Sequence, residues 1–254
     1  MSAPQRSYKA SGIVLRARNL GEADKIFTLF TLEYGKVDAV AKGVRRPKSQ
    51  LAGRLEFVTE AALTLHRGRS LDVITSAEIV CEHWHAIVEP DAFATAHLVV
   101  ELVDLFSERD LPMPDVYDLV RGFLRALATA TDPAALVPRF QLRLLGTLGF
   151  APQSDACVRC GEPFVDVAAW ADIEAGGLAC ERCRPHRADA LALAPADVAN
   201  FRGLAAWRAS AVRPATRATI PAGRAVEAFV TWQLGKRTKS GRMLDELTAR
   251  GMPA

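Results

Sequence analysis

The sequence predicts a multi-domain α+β protein: a small N-terminal β-barrel, an α-helical domain, and a four-cysteine segment inserted between helices of that domain. Three observations predict it. Apolar residues alternate over the first 80 residues, the period becomes helical from residue 90, and four of the five cysteines fall within 27 residues. The expected boundaries are residues 1–80 for the barrel, 81–153 with 189–254 for the helical domain, and 154–188 for the insertion.

The barrel reading rests on five alternating runs: Gly12 to Arg18, Lys25 to Leu32, Lys36 to Lys42, Leu55 to His66 and Leu71 to Ile79. Turn signals separate them at Asn19-Leu20-Gly21, Tyr34-Gly35, Arg46-Pro47 through Gly53, and Gly68-Arg69-Ser70. Five short strands in so few residues close on themselves more readily than they leave an edge open. The OB-fold is the commonest such barrel that binds nucleic acid, and an SH3-like barrel has almost the same pattern.

Helical spacing follows in Leu98, Glu101, Leu102, Leu105 and Phe106, then in Val116, Leu119, Val120, Phe123, Leu124 and Leu127. Pro90-Asp91 and Pro114-Asp115 stand where those helices start. A third helix runs through Phe140 to Leu145 and ends before Gly149, its start blurred by Pro133 and Pro138. Helical patterns return at Pro195–Ala209, Gly223–Leu234 and Ser240–Arg250.

Cys157-Val158-Arg159-Cys160 and Cys180-Glu181-Arg182-Cys183 form two C-x2-C knuckles with 19 residues between them. Such knuckles aim two thiolates each at one tetrahedral ion, and the chain between folds back as a ribbon. One structural zinc ion is expected, because four thiolates leave no position for water or substrate. The alternative is two reduced cysteine couples without an ion. A thioredoxin-like pair lacks its βαβ setting, and a zinc deaminase lacks its H-x-E and its proline before the knuckle. Cys81, His83 and His85 alternate as a weaker ligand set and read as ordinary surface and core positions. His186 is a spare ligand that four thiolates do not need, and His66 and His97 read as packing residues.

The net charge of +3 hides an uneven distribution. Residues 1–80 carry 13 Lys/Arg against 8 Asp/Glu, residues 81–153 carry 5 against 10, and the rest carry 14 against 11. Between Asp38 and Glu56 stand Lys42, Arg45, Arg46, Lys48 and Arg54 with no acid among them. With Arg16 and Arg18, which share a strand face by period two, they are the candidate DNA-binding residues. Lys236, Arg237, Lys239 and Arg242 form a possible second basic patch, again free of acids from Ala228 to Leu244. Among Tyr8, Phe27, Phe30, Tyr34 and Phe57, the two Phe at 27 and 30 read as core, so backbone electrostatics should outweigh base stacking.

No phosphate-cradling G-x-x-x-x-G-K-[ST], dinucleotide G-x-G-x-x-G, H-E-x-x-H or G-x-S-x-G occurs, so no nucleotide cofactor is expected and the chain reads as a binding protein, not an enzyme. No apolar run of about 18 residues and no signal-peptide pattern occurs either, which predicts a cytoplasmic, nucleoid-associated protein without a membrane partner.

The order of features resembles the RecO family of bacterial DNA repair proteins. The resemblance is carried by Gly12-Ile13-Val14-Leu15-Arg16 with Gly21-Glu22-Ala23-Asp24-Lys25, Tyr34-Gly35-Lys36, Ala41-Lys42-Gly43-Val44-Arg45-Arg46-Pro47-Lys48-Ser49 and Arg67-Gly68-Arg69. It continues in Arg139-Phe140-Gln141-Leu142-Arg143-Leu144-Leu145, the two knuckles and Leu234-Gly235-Lys236-Arg237-Thr238-Lys239-Ser240. It implies an N-terminal OB-fold barrel, a helical domain and a zinc-ribbon insertion. The activity implied is that of a recombination mediator: binding single- and double-stranded DNA, annealing complementary strands, and helping RecA load onto DNA coated by single-strand-binding protein (SSB). The implied partners are RecR and the C-terminal tail of SSB. The sequence departs from the pattern at 207–222, which is rich in Ala and Arg. The competing readings are a zinc-containing interaction adaptor that does not itself bind DNA and, less well supported, a metalloenzyme acting on nucleic acid.

Overall fold

A computed structural model of the chain describes residues 7–187, 190–206 and 217–251. The described residues fall into two compact units, one within 7–130 and 243–251 and the other within 131–242.

The first unit holds β1 (Ser7–Leu20), β2 (Asp24–Thr31), β3 (Gly35–Ala41), β4 (Glu60–His66) and β5 (Asp72–Cys81), closed in the order β1-β2-β3-β5-β4. Three strands run as a meander, β5 joins β3 in parallel, and β4 closes on β1. This is the five-stranded OB arrangement. Val14, Phe27, Leu29, Ala39, Leu63 and Leu65 fill the interior, and every residue of β2 from Ile26 to Thr31 is buried. Both faces of that strand are covered because α1 (Pro90–Phe106) and α2 (Pro114–Leu127) belong to the same unit. Phe30, facing outward, meets Tyr117 of α2 with ring centroids 6.0 Å apart. Buried Glu60 forms an ion pair with the Arg121 guanidinium at 2.9 Å.

Two local features depart from the predicted runs. The fourth strand begins at Glu60 rather than Leu55, because Val58 takes a left-handed φ of +56 and its N–H donates to the Val14 carbonyl while the Val14 N–H donates to Thr59. Buried β-branched residues seldom occupy that region, so the turn stores strain. The β3–β5 seam is short, pairing only Ala39 with Asp72 and Val40 with Val73. Further along β3 the chain after α1 takes over: Lys36 N–H donates to Glu108 O, and Gly35 (φ +66) lies so close to Leu111 that a Cβ would stand 2.0 Å from its carbonyl oxygen.

In the second unit α3 (Val137–Thr147), α4 (Pro195–Ala205) and α5 (Ile220–Leu234) pack against one another. The blurred start of α3 resolves into a 3-10 turn at Pro133–Leu136 followed by Pro138 in the first helical turn, where a missing N–H costs nothing. Between α3 and α4 runs the cysteine segment, with β6 (Ala169–Asp172), β7 (Gly177–Ala179) and β8 (Leu191–Leu193) in the order β7-β6-β8. β8 packs on α4 and α5. A last helix, α6, spans Lys239–Gly251. The predicted helical stretch at 195–209 ends at Ala205, and residues 207–216 of the Ala/Arg-rich stretch lie outside the described residues.

Candidate metal centre and nucleic-acid interface

Each knuckle is a tight turn shaped by its own backbone. In the first, the Gly161 N–H donates to the Cys157 carbonyl and the Cys157 N–H to Glu162 O, both at 2.8 Å. Gly161 has φ +76, a conformation that costs glycine little. In the second, Cys183 N–H returns to Cys180 O at 2.9 Å. Arg202 of α4 grips the first knuckle through Asp155 at 2.9 Å and the Phe164 carbonyl, and the Trp170 indole N–H of β6 holds Glu181 of the second at 2.7 Å.

The four sulfurs converge within 4.8 Å of one another, and Cys160 and Cys180 are 3.7 Å apart. A tetrahedral ion bound to thiolates at about 2.3 Å spaces its sulfurs by about 3.8 Å, so the donor set fits such an ion. Burial alone would raise the Cys157 thiol, but backbone N–H groups of Cys180, Cys160 and Arg159 point at its sulfur and hold it down at about 6. That favours the thiolate, the form that ligates a metal. Among the described residues this is the one group of His, Cys, Asp or Glu close enough to hold an ion. His186, exposed, and the Cys81, His83 and His85 set are outside it.

On the barrel a β-bulge decides where Arg16 and Arg18 point. Val14 pairs with Leu29 and faces the core, so simple alternation would send Arg16 and Arg18 inward too. The register shifts between Val14 and Arg16, which then pairs with Thr28, and Arg18 with Ile26, on the outer face. One extra residue turns both cations to solvent. The loop after β3 folds back over the β1–β2 turn: Gly43 N–H donates to Asp24 Oδ1 at 2.7 Å, Arg45 N–H to Ala23 O at 3.0 Å, and the Arg45 guanidinium to Gly21 O at 3.3 Å. Lys42 and Arg45 are thereby brought to the hairpin end that Arg18 approaches. All seven candidate cations are exposed. Arg18, Lys42, Arg46 and Lys48 have no side-chain partner among the described residues, whereas Arg54 donates to Ala77 O at 3.0 Å and is tied to β5.

Sequence reasoning missed a charged network on the outer face of β2 and β3. Thr28 donates to Asp38, Arg109 pairs with Asp38, and Asp104 of α1 accepts from Lys36 at 3.2 Å and pairs with Arg16 at 3.5 Å. Two of its direct partners, Arg16 and Asp104, lie 88 residues apart in the chain. No local pattern announces it.

In the second unit Arg237 of the second basic patch is paired with Glu227 of α5. A cavity of about 880 Å³ opens between α5 and the cysteine segment, walled by Ile173, Pro185, Leu191, Ala228 and Trp232, with Arg224 and Arg187 among its charged residues. The Trp232 side chain is half exposed.

Comparison with known proteins covers both units. Residues 1–82 match the family model described as Recombination protein O N terminal, and residues 88–242 match Recombination protein O C terminal. DNA repair protein RecO of Bifidobacterium adolescentis is 43% identical over 177 residues, 68% of this chain and 72% of that protein. That of Frankia casuarinae is 36% identical over 230 residues, covering 89% and 93%. That of Bifidobacterium longum subsp. infantis is 36% identical over 244 residues, covering 94% and 98%. With an OB barrel, a cysteine ribbon set between helices, and relatives that match nearly end to end, the chain belongs to the RecO family of DNA repair and recombination-mediator proteins.

Proposed function

We propose that the chain binds single- and double-stranded DNA through the hairpin end of its barrel, anneals complementary strands without nucleotide hydrolysis, and, with RecR, helps RecA load onto SSB-coated DNA. The observation that carries this reading is the acid-free loop after β3, which keeps Lys42, Arg46 and Lys48 exposed and without a partner among the described residues. Phosphate oxygens are the ligands such side chains take up, and the turn between the first two strands is a usual oligonucleotide site of OB barrels.

The cysteine site is assigned to one structural zinc ion. Four thiolates complete its coordination, so the ion holds the ribbon together and takes no part in a chemical step. The cavity beside α5 is assigned to a partner's peptide, for which the SSB tail is the candidate: its walls are partly apolar, and Arg224 lines it without an ion-pair partner among the described residues, whereas its other arginines pair with Asp172, Glu174 and Glu227. Residues of the helical region contribute binding surface, and no residue is assigned a catalytic role. No described helix is long and apolar enough to cross a membrane, and the proposed location is the cytoplasm.

The same cavity is what favours the second reading, an adaptor that assembles proteins without touching DNA. Annealing of complementary oligonucleotides, bare and SSB-coated, with and without RecR, separates the two. Faster annealing by the protein alone supports the first reading. Binding to RecR and SSB with no effect on bare strands supports the adaptor.

A further inference from the structure

The outer face of β2 and β3, where OB barrels commonly bind oligonucleotides, is here occupied by side chains of the chain itself. Asp104, in the last turn of α1, points its carboxylate at two cations of the barrel. Lys36 is held firmly: its ammonium donates to the Asp104 backbone carbonyl at 2.6 Å as well as to Oδ1, and its side chain is 18% exposed. It caps the end of α1 and ties that helix to β3. Arg16 is held lightly. Its side chain is 60% exposed, and a single nitrogen, Nη2, makes both its contacts, to Asp104 Oδ2 at 3.5 Å and to Thr28 Oγ1 at 3.4 Å. The other guanidinium N–H groups have no partner among the described residues.

We infer that Asp104 limits the DNA affinity of this barrel by standing where a DNA phosphate would stand against Arg16. The inference rests on the proposed DNA binding and adds a residue that opposes it. A carboxylate and a phosphate are alternative ligands for one guanidinium, and the Arg fork accepts either. An ion pair this exposed contributes little and is screened by salt, so a phosphate displaces the carboxylate at modest cost, yet the displacement must occur whenever DNA reaches Arg16. Position favours the exchange: Arg18, two residues on and about 7 Å away along the strand, points to the same outer face and has no side-chain partner among the described residues to give up. Lys36 is the positioning residue. By holding Asp104 from the far side it aims the carboxylate at Arg16.

The arrangement separates a structural role from an affinity role within one side chain. Asp104→Asn keeps the backbone carbonyl that Lys36 caps and offers Lys36 an amide oxygen in place of Oδ1, so α1 stays docked. What it removes is the charge facing Arg16.

The test is single-stranded DNA binding by the full-length wild type, Asp104→Asn, Arg16→Ala and the double variant, each at about 50 and about 200 mM salt. Asp104→Asn should bind more tightly than the wild type, with a salt slope steeper by about 0.7, the value for one added phosphate contact. Its advantage over the wild type should therefore grow about 2.5-fold between the higher and the lower salt. In the Arg16→Ala background the same substitution should bring little gain, which marks the effect as acting through Arg16 rather than through overall charge. Equal affinity of Asp104→Asn and wild type, or a gain that persists undiminished without Arg16, overturns the inference while leaving DNA binding intact. A wild type that binds no DNA at all overturns the proposed function and this inference with it. Melting temperatures of the four proteins show whether α1 has stayed in place.

Discussion

Two stretches of this chain look alike as sequence and differ in the fold. Residues 39–55 carry five cations without an acid, and residues 228–244 carry four. In the first, the acid just before the stretch is engaged elsewhere, Asp38 with Thr28 and Arg109, and Asp24, brought close by the fold, accepts from the Gly43 backbone. Lys42, Arg46 and Lys48 are left to solvent. In the second, α5 places Glu227, the residue just before the acid-free stretch, against Arg237. An acid-free window thus measures availability poorly. What decides it is whether the nearest carboxylates already have partners, and that is a property of the fold.

The harshest way to test the contrast is to remove the support of the second region. Cys157→Ser or Cys180→Ser deletes one of the four proposed ligands from a small ribbon whose own core is slight, and β8 of that ribbon packs on α5. Insoluble or misfolded protein is expected. Metal analysis of protein purified without chelator, together with soluble yield, checks this, and a soluble variant or wild type that melts normally without zinc refutes the assignment.

Next in size is the loop itself. Replacing Arg45, Arg46 and Lys48 together by Ala should flatten the dependence of log affinity on log salt by about 2 for single-stranded DNA, if each makes one phosphate contact. Arg46 and Lys48 have no side-chain hydrogen bond or ion pair among the described residues to lose, and Arg45 loses one bond to Gly21 O, so the fold should survive at a cost within about 0.5 kcal/mol for each exposed position. A folded variant with unchanged affinity and slope would show that the loop is only solvated surface. Arg237→Ala should then change the slope by less than one contact, below about 0.7, because its guanidinium is already neutralised by Glu227. A larger change would move the interface to the second unit.

The smallest effect concerns the conditions under which the regions are compared. Burial lowers the pKa of His83 and of His97, the latter lying against Phe57 and Phe93. The unfolded chain therefore takes up these protons at about 6.5, before the folded one does, so stability is full above that pH and is lost as pH falls below it. His97→Phe should shrink the drop in Tm between about pH 7.5 and about pH 5.5. An unchanged drop would mean that His97 protonates freely on the folded helix α1.

Much of this was legible along the chain, and for identifiable reasons. Knuckle spacing announces the four-cysteine cluster because two thiolates in one turn are a local geometry, and the four sulfurs do converge. Strand alternation announces the barrel because inside and outside differ in polarity. The orientation of Arg16 and Arg18 was legible only in part: period two puts them on one face, but the bulge after Val14 chooses which, and nothing in Val14-Leu15-Arg16 signals it. The run from Leu55 reads as strand because Leu55, Phe57 and Thr59 alternate, whereas Val58 is bent by hydrogen bonds to Val14, far away in sequence. The network of Asp38, Asp104 and Arg109 was invisible because α1 and the chain after it meet β3 only in three dimensions.

The close approach of Gly35 to Leu111 bears on where this polypeptide can be cut. With the β3–β5 seam limited to two residue pairs, the start of β3 depends on Glu108 and Arg109 for its neighbours. A fragment ending at residue 82, where the N-terminal family match stops, would strip that cover and present an unpaired β-edge, the surface that recruits other chains into aggregates. A fragment that continues to residue 130 keeps that cover, with α1 and α2, and is expected to hold together better. Side-by-side expression of the two lengths, read by soluble yield and sedimentation, would show it, and a monodisperse 1–82 fragment would mean that the barrel needs no escort.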